Sequence, residues 1–513
     1  MKIEEIREKI ELFEEEVARE AYANRIGLKD ELNIAKIFEK YKKIFDKENI
    51  ILIERKVKNS KDRLEKRIYE HILYYLINGY LDLKVAKMQD EVETYEAKAF
   101  VKYKGKKINF RHLGVIIVNE KDKKIRDKMS DLDVNIKKKL NSYYKDLLEN
   151  DYKMLKNLQF KGYQHFYELV KEIDYKDLEK VLKKFLIDTD ERFEKLMENL
   201  MKDINIDLKD VKNYDAAHYF TGKEYDKHFP KERLMEVFSK TLLNLGFDIK
   251  NQKNIELDIE DRPKKVARAF CYPIKVPGEV KLVIKPHGGH DDYESILHES
   301  GHAEHYGNTN DKLPFELKML GGNHSVSETY AFLFGFLLMN KEWLKNYTKM
   351  DDKTIDNFYR MSEGYKLFMF RRYCGKLIYE LKLHNKNLKK LNNHFEETNQ
   401  EYKDMGECYK DILSKSTKTI YNEKNYLVDV DDGFYSADYL RAWIMEAQLR
   451  NRLKEKYGSK WFLRKEAGDL LRKLYSYGDS KKIDEIAKEV GYDWLKVKYL
   501  FDEFNEFLDE YAV

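Results

Sequence analysis

Six prolines serve 513 residues, and four of them, Pro263, Pro273, Pro277 and Pro286, fall together between residues 263 and 286. Proline removes a backbone donor and clashes with the preceding helical turn, and glycine in a helix interior costs about 1 kcal/mol against alanine. Glycine is scarce as well, at 23 residues. Both breakers therefore stand below their ordinary usage of roughly 5% and 7%. A chain so seldom interrupted outside one window is built mainly from long α-helices, and an all-β or collagen-like fold is excluded. The window also holds Gly278, Gly288 and Gly289. Irregular backbone is concentrated there, and irregular backbone carries function more often than regular elements do.

The remaining composition narrows the class. Hydrophobic residues make up 42% and aromatic residues 13%, enough for a large core. Lys and Arg number 97 against 93 Asp and Glu, so the net charge is only +4. That balance argues against a disordered chain and against a polyanion-coating or nucleic-acid-binding protein. Cys271, Cys374 and Cys408 are far apart with no CxxC pair, which points to reduced thiols in a cytoplasmic setting. The N-terminus, MKIEEIREKIELFEEE, has no apolar signal core. The longest apolar run, Tyr330 to Met339, is shorter than the roughly 20 residues a membrane span needs. A soluble cytoplasmic protein with no membrane partner is expected.

Helical periodicity fills the first 90 residues, as in Ile3, Ile6, Ile10, Phe13 and Val17. Alternation around Lys104-Gly105-Lys106 predicts one β-hairpin near 95–118. In the proline window, Val266 to Tyr272 and Val280 to Ile284 read as strands of a small sheet spanning 264–286. Helices resume at about 291, with a further loop expected at 383–386.

Directly after that sheet comes His298-Glu299-Ser-Gly301-His302. Asp291 and Glu294 read as a capping box, predicting a helix over 291–306. His298 and His302 then stand one turn apart on one face, about 5–6 Å from each other, where two imidazoles can share a metal ion. Glu299, beside the first ligand, can take a proton from water without coordinating the ion. This is the HExxH zinc-hydrolase pattern. A catalytic zinc needs a third protein ligand and one open position. Glu328 is favoured, because a carboxylate opening the apolar helix predicted over 325–345 would be costly to bury unpaired. His324 is its rival, Glu304 and His305 are weaker ones, and a plain Ser325–Glu328 capping box is the structural alternative.

His298, His302 and Glu328 in this order resemble the gluzincin arrangement of the thimet oligopeptidase and oligoendopeptidase F family. The run Ala267 to Tyr272 is similar to that family's peptide-binding edge strand, and Asp432 to Trp443 resembles its Gly-Tyr-rich segment. The resemblance strengthens Glu328 as third ligand and implies a mainly α, two-lobed metallopeptidase with a deep substrate channel. It implies an N-terminal helical lobe over 1–205 and a catalytic lobe over 206–513, with Tyr435 or Tyr439 as oxyanion donor. The chain departs from the family segment: no His lies between His394 and the C-terminus, and Ala442 stands where a further Tyr is usual. Arg441 reads as a surface ion pair or a carboxylate binder, and His287 and His290 as loop residues or substrate contacts. Glu342 or Glu363 are candidates to orient the ligand imidazoles.

The expected activity is hydrolysis of short oligopeptides with one Zn2+ per chain and Glu299 as general base. Two alternatives stand beside it, a metallocarboxypeptidase of the related helical gluzincin type and a non-catalytic helical binding protein with a vestigial zinc site. An intact Glu299 speaks against the second.

Overall fold

A computed structural model describes residues 1–385 and 402–512, so the end of the loop expected at 383–386 lies outside the described residues. Among those described are 22 α-helices and five short strands, the mainly helical architecture that the scarcity of breakers requires. The helices used below are α1 (Ile3–Arg25), α2 (Arg63–Lys98), α3 (Phe110–Asn119), α4 (Val134–Asn157), α5 (His290–Gly307), α6 (Ser325–Gly335), α7 (Asp352–His384) and α8 (Tyr435–Tyr457). The chain divides into two compact units, one of residues 1–83, 223–359 and 441–500, the other of 84–222, 360–440 and 501–513. Residues from both 1–205 and 206–513 enter each unit.

The hairpin belongs to the second unit. Strands β1 (Phe100–Tyr103) and β2 (Lys106–Asn109) pair antiparallel, with Lys102 opposite Lys107. Lys104 and Gly105 both take positive φ, 48° and 76°, the left-handed pair that a two-residue hairpin turn needs. Val101 packs inward with Leu113, Ile117 and Leu140 of the adjoining helices α3 and α4.

The first unit holds the second sheet, whose order is β3 (Ile255–Asp258), β5 (Glu279–Val283), β4 (Phe270–Lys275). β3 runs parallel to β5 and β4 antiparallel to it. The strand expected from Val266 begins only at Phe270. Just before it, the fully buried Lys265 ammonium donates to the carbonyls of Asp258, Glu260 and Ile284 and to Asp258 Oδ1, and the Val266 amide donates to the Arg25 carbonyl at 2.9 Å, not to a neighbouring strand. Val266 is left 42% exposed.

Helix α5, which carries His298 and His302, spans His290–Gly307, starting slightly before the expected 291. Asp291 and Glu294 do not form the expected box. Gly289 is the N-cap, at φ 95°, and the His290 amide donates to Asp226 Oδ1 at 3.1 Å, while Asp292 accepts from the His287 and Gly288 amides at 2.5 and 2.7 Å. The single helix expected over 325–345 is divided. α6 stops at Gly335, a 3-10 turn covers Phe336–Met339, and Asn340 caps a separate helix Lys341–Tyr347 by accepting from the Glu342 and Trp343 amides.

Candidate metal centre

α5 and α6 cross in close contact, and Gly301 permits it. A Cβ there would collide with the Tyr330 carbonyl oxygen and lie 2.6 Å from Ala331 Cα. Bringing the two backbones this near sets Glu328, in the first turns of α6, opposite the histidine face of α5. Glu328 Oε2 lies 3.5 Å from His298 Nε2 and 3.7 Å from His302 Nε2, and all three donor atoms fall within 4.8 Å of one another. Ligands held at about 2.0–2.1 Å around a tetrahedral ion stand about 3.3–3.4 Å apart. Two imidazole nitrogens and a carboxylate oxygen gathered this closely form a donor set that could hold a metal ion.

The rival ligands lie elsewhere. His324 is exposed at the N-cap of α6. Glu304 is buried but accepts from Gln252 at 2.7 Å and Asn308 at 2.9 Å, and His305 packs among Tyr306, Tyr330 and Tyr475. The Ser325–Glu328 capping box is absent. Asn323 Oδ1 takes the Ser325 amide instead, at 3.0 Å.

Supporting contacts came from residues that spacing did not single out. His302 Nδ1 lies 2.7 Å from Ser327 Oγ, which in turn lies 3.4 Å from the Tyr306 hydroxyl. With Nε2 turned to a metal, Nδ1–H donates to Ser327, which fixes tautomer and ring orientation together. Glu294, one turn before His298, acts electrostatically on that ring. Glu342 pairs with Lys460 at 3.3 Å, and Glu363 pairs with Lys366 at 3.4 Å within the second unit. The Ser327 contact joins two helices and has no local sequence signal. Glu294 has one, since its i, i+4 relation to His298 is readable.

Glu299 stays outside the donor set. Its Oε2 accepts the Cys271 amide of β4 at 2.9 Å, so the carboxylate is held at the sheet, beside the ligands. The Cys271 thiol is driven well above its ordinary range by burial and then by the Glu299 charge, which leaves it an inert strand residue. Burial pushes the His298 imidazole down, but the carboxylates of Glu328, Glu299 and Glu294 override it and hold the ring above its usual value. For His302 burial prevails and the ring stays below it. The local field is thus negative, which favours a cation.

Tyr435 and Tyr439 open α8 in the second unit, with ring centroids 4.9 Å apart, and Tyr439 also packs on Tyr373 at 5.3 Å. The Lys171 ammonium lies 5.7 Å from the Tyr435 ring centroid and pairs with Asp438 at 2.5 Å. Arg441, in the first unit, is 5% exposed with Asp484 at 3.9 Å, so the surface ion pair expected for it is instead a buried guanidinium. His290 packs edge-on against Phe358, with ring centroids 5.6 Å apart. No family model matches the chain, and no curated protein matches it either.

Proposed function

We propose that the chain is a metal-dependent peptidase that hydrolyses short oligopeptides, with His298, His302 and Glu328 holding one Zn2+ and Glu299 acting as general base. The observation that carries this reading is the separate anchoring of Glu299: a carboxylate next to the ligands, bonded to β4 and not to the donor set. A purely structural site has no use for such a base. When bound, the ion supplies Lewis acidity, acidifying water and polarising a peptide carbonyl. The chain's own residues do the rest. Glu299 accepts the proton of the attacking water on its carboxylate and returns it to the departing amine nitrogen. Ser327 holds the His302 ring in the tautomer that exposes Nε2. The same reading gives the oxyanion-donor role to Tyr435 or Tyr439, and Tyr→Phe at each position tests it.

A panel of free and C-terminally blocked peptides, incubated with and without chelator and read by mass spectrometry, tests class, metal dependence and direction together. Internal cleavage of blocked peptides that chelator abolishes is the expected result. Cleavage confined to free C-termini would mean a carboxypeptidase. Glu299→Gln is expected to keep its metal and lose about 10²–10⁴-fold in turnover. Full activity in that variant would overturn the mechanism.

A further inference from the structure

The stretch with the most cations uninterrupted by an acid lies at the β1–β2 hairpin. From Lys98 to Arg111 there are six cations and no acid, the nearest carboxylates being Glu96 and Glu120. Five of the six, Lys98, Lys102, Lys104, Lys106 and Lys107, lie on or beside the β1–β2 hairpin and are exposed. None of these five is in an ion pair among the described residues, although exposed lysines elsewhere commonly are, as Lys58 with Glu54 and Lys184 with Asp188. Lys102 also faces Lys107 directly across the strands. Like charges in that position destabilise a hairpin, and an external anion would relieve the repulsion.

Apolar side chains are exposed at the hairpin as well. The pleat sets Phe100, 44% exposed, on the same face as Lys102 and Lys107, because residues two apart and residues directly paired point the same way. Helix α3 follows β2, packs through Leu113 and Ile117 with Val101 on the other face of the hairpin, and exposes Val115 at 64% and Ile116 at 39%. Basic residues around exposed aliphatic and aromatic side chains are the pattern of an interfacial membrane contact. Nucleic acid fits less well. Lys107 Nζ covers the Phe100 ring at 4.4 Å and Lys104 Nζ the Tyr103 ring at 5.3 Å, occupying faces on which bases would stack, and valine and isoleucine offer no stacking surface.

Against the expectation of no membrane partner, we propose that the β1–β2 hairpin docks the protein on an anionic phospholipid bilayer, its lysines on the headgroups and Phe100 at the acyl boundary. This does not depend on the metal centre. The test is co-sedimentation of the full chain with phosphatidylcholine vesicles, with and without phosphatidylserine, at low and high salt. The expected result is binding only when phosphatidylserine is present, weakening steeply as salt rises. Each lysine near such a surface is worth roughly fivefold in partitioning, so Lys102→Gln with Lys107→Gln should lower binding about 25-fold. That variant also removes the cross-strand repulsion, so it should fold at least as well. Lys58→Gln with Lys184→Gln should bind like the parent protein. The proposal is overturned by equal binding to neutral vesicles or by no binding to anionic ones. It also falls if the hairpin variant binds undiminished, or if a single-stranded oligonucleotide or polyglutamate is preferred to the vesicles.

Discussion

Asp215 and Glu328 are both helix carboxylates buried almost completely, at 0% and 5% exposure, yet the two units surround them differently. Asp215 is met by fixed positive charge. Arg126 Nε donates to its Oδ1 at 2.9 Å, Lys123 Nζ to its Oδ2 at 3.0 Å, and the Lys212 amide adds a third bond at 3.0 Å. Glu328 is met by the Nε2 atoms of two imidazoles, and the charges acting on His298 are carboxylates. A buried charge must be compensated. Where the protein supplies the cation, the cluster is a brace. Where it gathers lone pairs and negative charge, the cluster suits a cation from outside.

The comparison is broken most forcefully at the brace. Arg126→Met leaves Asp215 buried beside Lys123 alone and is expected to cost about 3–5 kcal/mol in unfolding free energy while metal content stays the same. Chemical denaturation and metal analysis on one preparation check both halves. At the other cluster, Gly301→Ala forces α5 and α6 apart, with an expected loss of about 1–3 kcal/mol. Metal content should fall with it, because the same contact brings Glu328 to the histidines. An unchanged metal stoichiometry would separate the helix crossing from the site. Ser327→Ala removes only the partner of His302 Nδ1. Metal affinity should weaken about 10–100-fold, as competition with a chelating dye would read, with little change in unfolding midpoint.

The last test is in pH. His384 of α7 is buried in the second unit, stacked on Tyr163 with ring centroids 4.2 Å apart, and burial drives it down to about 3. In the unfolded chain it takes a proton near 6.5. Above that value both states are neutral and the folded state loses nothing. As pH falls from about 6.5 towards 3 only the unfolded state is protonated, so stability declines by at most about 1.4 kcal/mol per unit. His384→Phe should flatten that part of the urea-midpoint profile. His298, buried among carboxylates, shifts the opposite way, so the contrast isolates what neighbouring charge does to a buried imidazole.

Local rules made much of this legible. Lys104-Gly105 announced its turn, and His298 and His302 share a face because the α-helix repeats every 3.6 residues. What local rules missed has a common cause. β3 is a short strand whose parallel pairing with β5 joins segments far apart in sequence. The break after Gly335 depends on Asn340 outcompeting helix continuation with its own cap. At the displaced start of β4, Lys265 is held by four acceptors at the ends of β3 and β5, segments that its own neighbours in sequence do not reveal. The start of α5 depends on Asp226, which spacing within 290–307 cannot reveal.

By itself the sequence determined a mainly helical chain, one local concentration of irregular backbone, and a helix carrying two imidazoles and a carboxylate at fixed offsets. These follow from backbone sterics and helical repeat, which need no distant partner. Only the tertiary structure decided that Glu328 meets those imidazoles while His324, Glu304 and His305 do not, that Ser327 orients His302, and that Glu299 is tethered to β4. Each of these depends on two elements approaching one another, and at the crossing of α5 and α6 that approach rests on the absence of a single Cβ at Gly301.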